Sequence, residues 1–322
     1  MKVWKTIVLL LLLGHAGRAQ KIFQPFISHP DSAIKGYDTS YVDPLLNTFT
    51  LRVYTNYKDV RLDLFNRNHR DLSLNAGEFL RYGLGIGYRY VIINYAYGID
   101  PFRASSDRQM RHFNLQMNVF GHRFLYDIRY QFHRGFQSSL GYLPDLVVEA
   151  AGGSLRYNFN HRKYSFKNTF DQTQWQKKSQ GSPIAGLDFA YTRISGDSAL
   201  KVAAVNNELH SFHESYHLRA GVGYTYTVVM KEHWYITACL TLYAEGRFSG
   251  SSSNFDDNAP FDLELIPEHR IGFGYNSAKH CIGFQGMWFY SSARYSEVNQ
   301  YRYNYQNLKL IYAYRFNFDV HH

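Results

Sequence analysis

At 322 residues the chain is long enough for two ordinary soluble domains, yet a single closed barrel falls in the same range. Aromatics make up 17% of it, with 28 Tyr and 24 Phe, while mean hydropathy is only −0.38, a pairing that suits strands of which every second residue meets lipid. The formal net charge of +9 falls to +6 once Lys2, Lys5 and Arg18 are set aside, and the remaining basic residues recur singly rather than in runs, which argues against a nucleic-acid surface.

The N-terminus predicts an export signal over 1–19. Lys2 and Lys5 supply a basic start, Ile7–Leu13 an apolar core, and Gly17-Arg18-Ala19 a small-residue cleavage site before Gln20. The core is far shorter than the ~20 residues of a membrane helix, and no later run approaches that length. No cysteine follows the core, so a lipid anchor is not expected. Residues 20–46 read as an extended periplasmic lead-in, 47–318 as the barrel and 319–322 as a C-terminal tail.

The stretch 47–65 reads as one long, bulged strand. In RYGLGIGYRY, residues 81–90, Tyr82, Leu84, Ile86 and Tyr88 alternate with Arg81, Gly83, Gly85, Gly87 and Arg89. That is period two, apolar on one face and small or cationic on the other, and it continues extended instead of opening a helix as a phosphate loop would. In RHFNLQMNVF and FLYDIRYQF, Phe113, Leu115, Met117 and Val119, then Phe124, Tyr126, Ile128, Tyr130 and Phe132, share apolar faces. Opposite the second set lie Leu125, Asp127, Arg129 and Gln131. Strands are further expected near 147–160, 163–173, 184–195, a weak 199–205, 216–229, 234–247, 268–276, 280–290 and 302–318.

The glycine phrase returns as Gly221-Val222-Gly223-Tyr224 and Gly272-Phe273-Gly274-Tyr275, with Arg219 and Arg270 just upstream. These glycines are expected to face inward, where a missing side chain leaves room for a neighbour's bulk. Tight turns near 88–91, 121–123, 160–163, 230–233 and 276–279 alternate with loops near 66–77, 100–110, 134–146, 174–183, 248–267 and 292–300. On the bacterial pattern the turns are periplasmic and the loops outside. The fold expected is therefore all-β, a closed antiparallel transmembrane β-barrel of about 12–14 strands. The last strand turns Leu310, Tyr312, Tyr314, Phe316 and Phe318 to lipid, and its aromatic end resembles the signal read by the barrel assembly machinery. Cys239 and Cys281 fall on strands one apart from each other, roughly 10 Å away, beyond disulfide reach, and are expected as free thiols.

LRVYTNYKDVRLDL followed by GLGIGYRY, QKKSQGSPIAGLDFAY running into ISGDSAL, and AGVGYTYTVVMKEHWY together resemble an uncharacterised Bacteroidota family of predicted outer-membrane β-barrels. The resemblance covers most of the chain after about residue 45. It implies location in the outer membrane of a Gram-negative bacterium, and it carries no catalytic residues.

Several groups invite chemistry. ELHSFHESYH gathers Glu208, His210, His213, Glu214 and His217, residue types that ligate zinc-like ions. Their spacing fits no rigid template, so no metal and no cofactor are expected. His213 and Ser215 share a face of an extended segment and resemble the catalytic pair of outer-membrane phospholipases and lipid A deacylases, with no orienting acid assignable. Asp256, Asp257, Asp262 and Glu264 form an acidic loop cluster that could take calcium. Asp127 with Arg129, and Arg61 with Asp63, are expected as interior ion pairs. Arg52, Arg81, Arg89, Arg129, Arg156, Arg219 and Arg315 are expected to line the lumen and give a channel a modest anion preference. The function expected is a non-catalytic narrow channel or an envelope structural or binding protein, with a lipid hydrolase using His213 and Ser215 as the alternative. The expected partners are outer-membrane lipid and lipopolysaccharide.

Overall fold

The computed structural model describes residues 36–45, 48–66, 72–88, 91–98, 111–138, 141–196, 212–251, 262–294 and 299–317. The signal segment, Arg89, Glu208, His210, Asp256, Asp257, Phe318, the weak strand 199–205 and the C-terminal tail lie outside them.

The strands are β1 (Val42–Asp43), β2 (Thr48–Asn66), β3 (Leu72–Tyr88), β4 (Val91–Gly98), β5 (Arg111–Phe120), β6 (Phe124–Ser138), β7 (Gly141–Asn158), β8 (Trp175–Gln176), β9 (Gln180–Ser195), β10 (Phe212–Met230), β11 (Trp234–Ser251), β12 (Asp262–Asn276), β13 (His280–Arg294) and β14 (Asn299–Asn317), with one short helix, α1 (Phe166–Phe170). Twelve of them form one antiparallel sheet in the order β4-β3-β2-β14-β13-β12-β11-β10-β9-β7-β6-β5. A bridge from Asn75 on β3 to Gln137 on β6 joins its two sides, so that 10 strands close the ring. β4 and β5 lie along β3 and β6 below that bridge, on the halves that do not meet.

Alternation explains the closure. Leu84, Ile86, Ile128, Leu187, Val222, Leu240 and Leu310 are exposed on the outer face. Arg81, Asp127, Asp188, Arg219, Thr241 and Arg315, on the same strands, are buried. Apolar groups outside and polar groups inside invert a soluble core, and only a lipid surround makes that arrangement stable. Where β3 meets β6 the two sides of the sheet satisfy each other's backbone, as a strand edge in the membrane requires.

The structure corrects four expectations. Residues 163–173 are not a strand; they contain α1, whose start is capped by the Ser165 hydroxyl accepting from the Asn168 amide at 3.1 Å. Phe166 and Phe170, four apart, meet with tilted rings 4.5 Å between centres, so their spacing served a helical turn rather than a pleat. The loop expected over 134–146 is a tight hairpin between β6 and β7, with a bulge between Arg134 and Phe136 where Gly135 takes a φ of +83°. Arg61 and Asp63 do not face the lumen. The irregularity between β2 and β3 inserts its extra residue on β3, leaving β2 strictly alternating, with Arg52, Asn56, Lys58, Val60 and Leu62 inside. Finally, β12 begins at Asp262, well before its expected start, and runs through Pro267.

That proline marks a discontinuity. β12 pairs with β11 along its whole length past Pro267, but its pairing with β13 stops at His269–Trp288. Pro267 has no N–H to offer, so the ladder toward β13 ends beside it while both strands run on.

Candidate functional site

The interior is filled from the end with the tight turns upward. Between β7 and β9 the chain does not simply turn; residues 159–179 fold into the lumen as a plug. Bonds to it arrive from around the ring. Tyr164 Oη meets Thr225 Oγ1 at 2.5 Å, and Thr169 Oγ1 meets Thr237 Oγ1 at 2.7 Å. Asn276 donates to Asn168 Oδ1 at 2.7 Å and to the Gln174 carbonyl at 3.0 Å. Arg52 donates to the Asp171 carbonyl at 2.7 Å, Arg315 Nε to the Gln172 carbonyl at 3.1 Å, and Gln285 to the Thr169 carbonyl. The two arginines therefore hold the carbonyls of the cap of α1 and of the residue just past it.

Residues 36–45 clamp this plug from below, in place of a simple extended lead-in. β1 pairs with β8, Asp38 N donates to the Arg162 carbonyl at 2.8 Å, and Gln174 donates to the Tyr37 hydroxyl at 2.7 Å. Tyr37 meets the His122 ring edge-on at 4.0 Å. His122 in turn meets His161 at 4.6 Å. Burial, with Arg123 and His161 nearby, pushes the His122 imidazole down to about 4, so it is neutral at ordinary pH.

Above the plug lies a layer of paired charges. Asp188 accepts from Arg129 at 2.7 Å and from Arg219 at 2.9 Å. Glu245 accepts from Arg219 and lies 3.1 Å from His217 Nδ1. Glu268 accepts from Arg156 at 2.9 Å and Arg270 at 2.7 Å, and Glu264 from Arg247 at 2.8 Å. The Arg219 guanidinium also sits 4.5 Å from the centre of the Phe289 ring. Beside and above this layer an apolar cluster of Val60, Leu62, Leu74, Phe136, Leu146 and Ile194 closes the β2–β3–β6–β7–β9 side, with Tyr303 and Tyr305 of β14. A void of about 50 Å³ remains among the charged residues, room for one or two waters.

The lumen-facing arginines are thus placed as follows. Arg129, Arg156 and Arg219 are bound to carboxylates, Arg52 and Arg315 to the plug, and Arg81 is buried in the wall. Of these, Arg129, Arg156 and Arg219 spend their charge on carboxylates, and Arg52 and Arg315 on plug carbonyls. The glycines serve close approach. A Cβ at Gly83 would fall inside the Tyr54 ring, one at Gly221 against Tyr243, and one at Gly272 into the Thr169 methyl of the plug. Gly85 lies against Asn94, with the Arg52 Nε 3.2 Å from where a Cβ would stand, Gly87 is buried opposite Thr50, and Gly223 and Gly274 press on neighbouring backbones. Cys239 and Cys281 are buried free thiols on β11 and β13.

The serine of the expected pair finds another histidine. Ser215 Oγ lies 2.9 Å from His217 Nε2, and Glu245 completes a Ser–His–Glu chain. The His213 side chain lies outside the described residues. Glu245, thirty residues on along the chain, was illegible as the missing acid because only the β10–β11 register, His217 opposite Arg247, sets it beside His217. Glu214 is turned away, accepting from Tyr191 at 2.7 Å. No group of three or more metal-ligating side chains occurs among the described residues.

The family described as "Domain of unknown function (DUF4421)" matches residues 36–316. No curated protein matches the chain. Among solved structures, the translocator domain of autotransporter NalP from Neisseria meningitidis is similar over 94% of this chain and 96% of that one, at 8% identity and a TM-score of 0.35. The Pseudomonas putida toluene transporter TodX is similar over 87% and 93%, at 7% identity and a TM-score of 0.27. The Pseudomonas aeruginosa outer membrane protein OprG is similar over 84% and 97%, at 11% identity and a TM-score of 0.24.

Proposed function

The chain belongs to the DUF4421 family, and we propose that it is a sealed outer-membrane barrel of a Gram-negative cell, an envelope structural or binding protein that works through its outer wall and rim rather than as an open pore. The observation that carries this is the filled lumen. Plug, charge layer and apolar cluster succeed one another between the two ends, and the void left among the charges is about 50 Å³. Membrane spanning follows from the inverted wall, and export from the predicted signal segment. Lipid and lipopolysaccharide are its immediate surroundings on this reading.

Planar-bilayer recording of the purified protein tests it. The expected result is no steady conductance. A stable ohmic open state would overturn it and restore the channel.

The Ser215–His217–Glu245 chain favours a second reading, a lipid hydrolase. In that role Ser215 would attack an ester carbonyl while His217 Nε2 took its proton and Glu245 held the imidazole. All three side chains are fully buried, so the reading requires the lumen to open before any ester reaches Ser215. Covalent labelling by a fluorophosphonate, lost in Ser215→Ala, would establish it; an unlabelled wild-type barrel would end it.

A further inference from the structure

Where β12 and β13 part, the outer face of the wall carries a cavity of about 340 Å³. Its lining comes from exterior rows: Pro267 and His269 on β12, Trp288 and Tyr290 on β13, Asn304 and Gln306 on β14, and Asp59 and Arg61 on β2. Phe289 and Tyr305, whose side chains belong to the inner row, form its floor, so the groove reaches into the wall at the open seam.

The exterior rows change character here. On β14 Phe316, Tyr314, Tyr312 and Leu310 give way to Gln306, Asn304 and Arg302. On β2 Leu51 and Val53 give way to Asp59, Arg61 and Asp63. Beside the groove, Leu263 and Leu265 of β12 stand 67% and 70% exposed, with no β13 partner alongside. An apolar wall leading to a polar, aromatic-walled groove matches one kind of molecule, an amphiphile lying along the wall with its head at the seam.

We propose that this groove binds the saccharide head group of an outer-leaflet glycolipid. The inference rests on the outer-membrane placement proposed above. The charge of the groove selects the head. Arg61 faces Asp59 at 3.7 Å, and the rest of the polar lining is Gln306, His269 and Asn304, whose amide nitrogen donates to Asp63 at 2.6 Å, so polar groups are many and net charge small. A hydroxyl-rich ring suits that lining better than a small phosphate head, which calls for an unopposed cation. Trp288 and Tyr290 offer ring faces on which the apolar face of a pyranose can rest while their polar edges stay wet. The volume falls within the roughly 300–1,000 Å³ usual for small-ligand pockets.

Pro267 keeps the site open. A residue with an N–H there would let the β12–β13 ladder continue past His269 and draw Tyr290 across the gap.

The test uses the full-length protein in detergent, with purified rough lipopolysaccharide as the probe and phosphatidylglycerol and phosphatidylethanolamine as comparisons. Native mass spectrometry reads the lipid retained. Wild type is expected to retain the glycolipid in preference to either phospholipid. Trp288→Ala, and separately Asn304→Ala with Gln306→Ala, are expected to weaken retention about ten-fold each, and Pro267→Thr to weaken it by closing the seam. Heat-modifiable electrophoretic mobility confirms that each variant is a folded barrel. If folded variants retain as much glycolipid as wild type, or phospholipid is retained as well as glycolipid, the proposal is overturned. Conductance is a separate reading: a conducting barrel with groove-dependent retention would remove the sealed-pore reading and leave this one standing.

Discussion

The two ends of the lumen are closed by different chemistry. At the tight-turn end a segment between two strands folds inward and is held by neutral hydrogen bonds and by two arginines on backbone carbonyls. Higher up, the wall's own side chains meet, arginine against carboxylate, with no inserted chain among them in the described residues. The first closure is a separable part, and its loss would leave the wall intact. The second belongs to the wall, and losing a carboxylate from it leaves the buried arginines short of a counter-charge.

The contrast predicts unequal costs. Glu245→Ala removes the carboxylate shared by Arg219, His217 and Arg247, leaving the buried arginines one counter-charge short. Breaking such a buried pair is expected to cost about 3–5 kcal/mol, read as a fall in the denaturant midpoint of the folded, heat-modifiable form. A barrel as stable as wild type would mean that the charge layer does not hold the wall. Arg315→Met, at the other end, removes donors to the Gln172 carbonyl and to Asn276 Oδ1. Here about 1.5–3 kcal/mol is expected, because hydrogen bonds to a charged group are lost and no ion is left unpaired. Its signature should be local: hydrogen exchange rises over 164–176 while β10 and β11 stay protected. Equal exchange in all three would erase the distinction between the two closures.

Ser215→Ala probes the edge of the charge layer. The His217 imidazole keeps Glu245 but loses its Nε2 partner, and about 1 kcal/mol is the expected loss. A loss as large as that of Glu245→Ala would mark Ser215 as more than a terminal member of the chain.

Much of the wall was legible in the sequence because its physics is local. Alternation in 81–87 and 124–132 needed only a side-chain period of two, and both faces are where that period puts them. The plug was not legible. Tyr164, Phe166 and Phe170 repeat in a way that serves a strand or a helical turn equally, and only distant partners such as Thr225, Thr237 and Gln285 decide between them. Gly272 carried a trace of it, since an inward glycine asks what fills its space, but the answer, Thr169, lies a hundred residues earlier. The Ser–His–Glu chain was half legible for the same reason. Ser215 and His217 share a face by spacing, whereas Glu245 arrives through the hairpin register. Pro267 was visible and was placed outside the strand; β11 keeps β12 extended through it because the ladder on that side needs nothing from its nitrogen.

The smallest effect separates the ends by pH. His122 sits in the turn between β5 and β6, packed on Tyr37 and His161, with Arg123 and Lys167 contributing positive charge nearby. Its folded pKa of about 4 lies below the ordinary 6.5, so the clamp favours the neutral ring. The unfolded chain then binds the proton first, and the contribution is whole above pH 6.5 and declines as the pH falls toward about 4. Amide exchange over 36–45 should therefore quicken between pH 7 and pH 4.5, with β11 amides as the internal reference once intrinsic rates are corrected. His122→Phe keeps a ring against Tyr37 without a titrating group and should flatten the response. If acid loosens 36–45 equally in that variant, the clamp is set by other groups, and the closure at the tight-turn end is less separable from the wall than its bonding indicates.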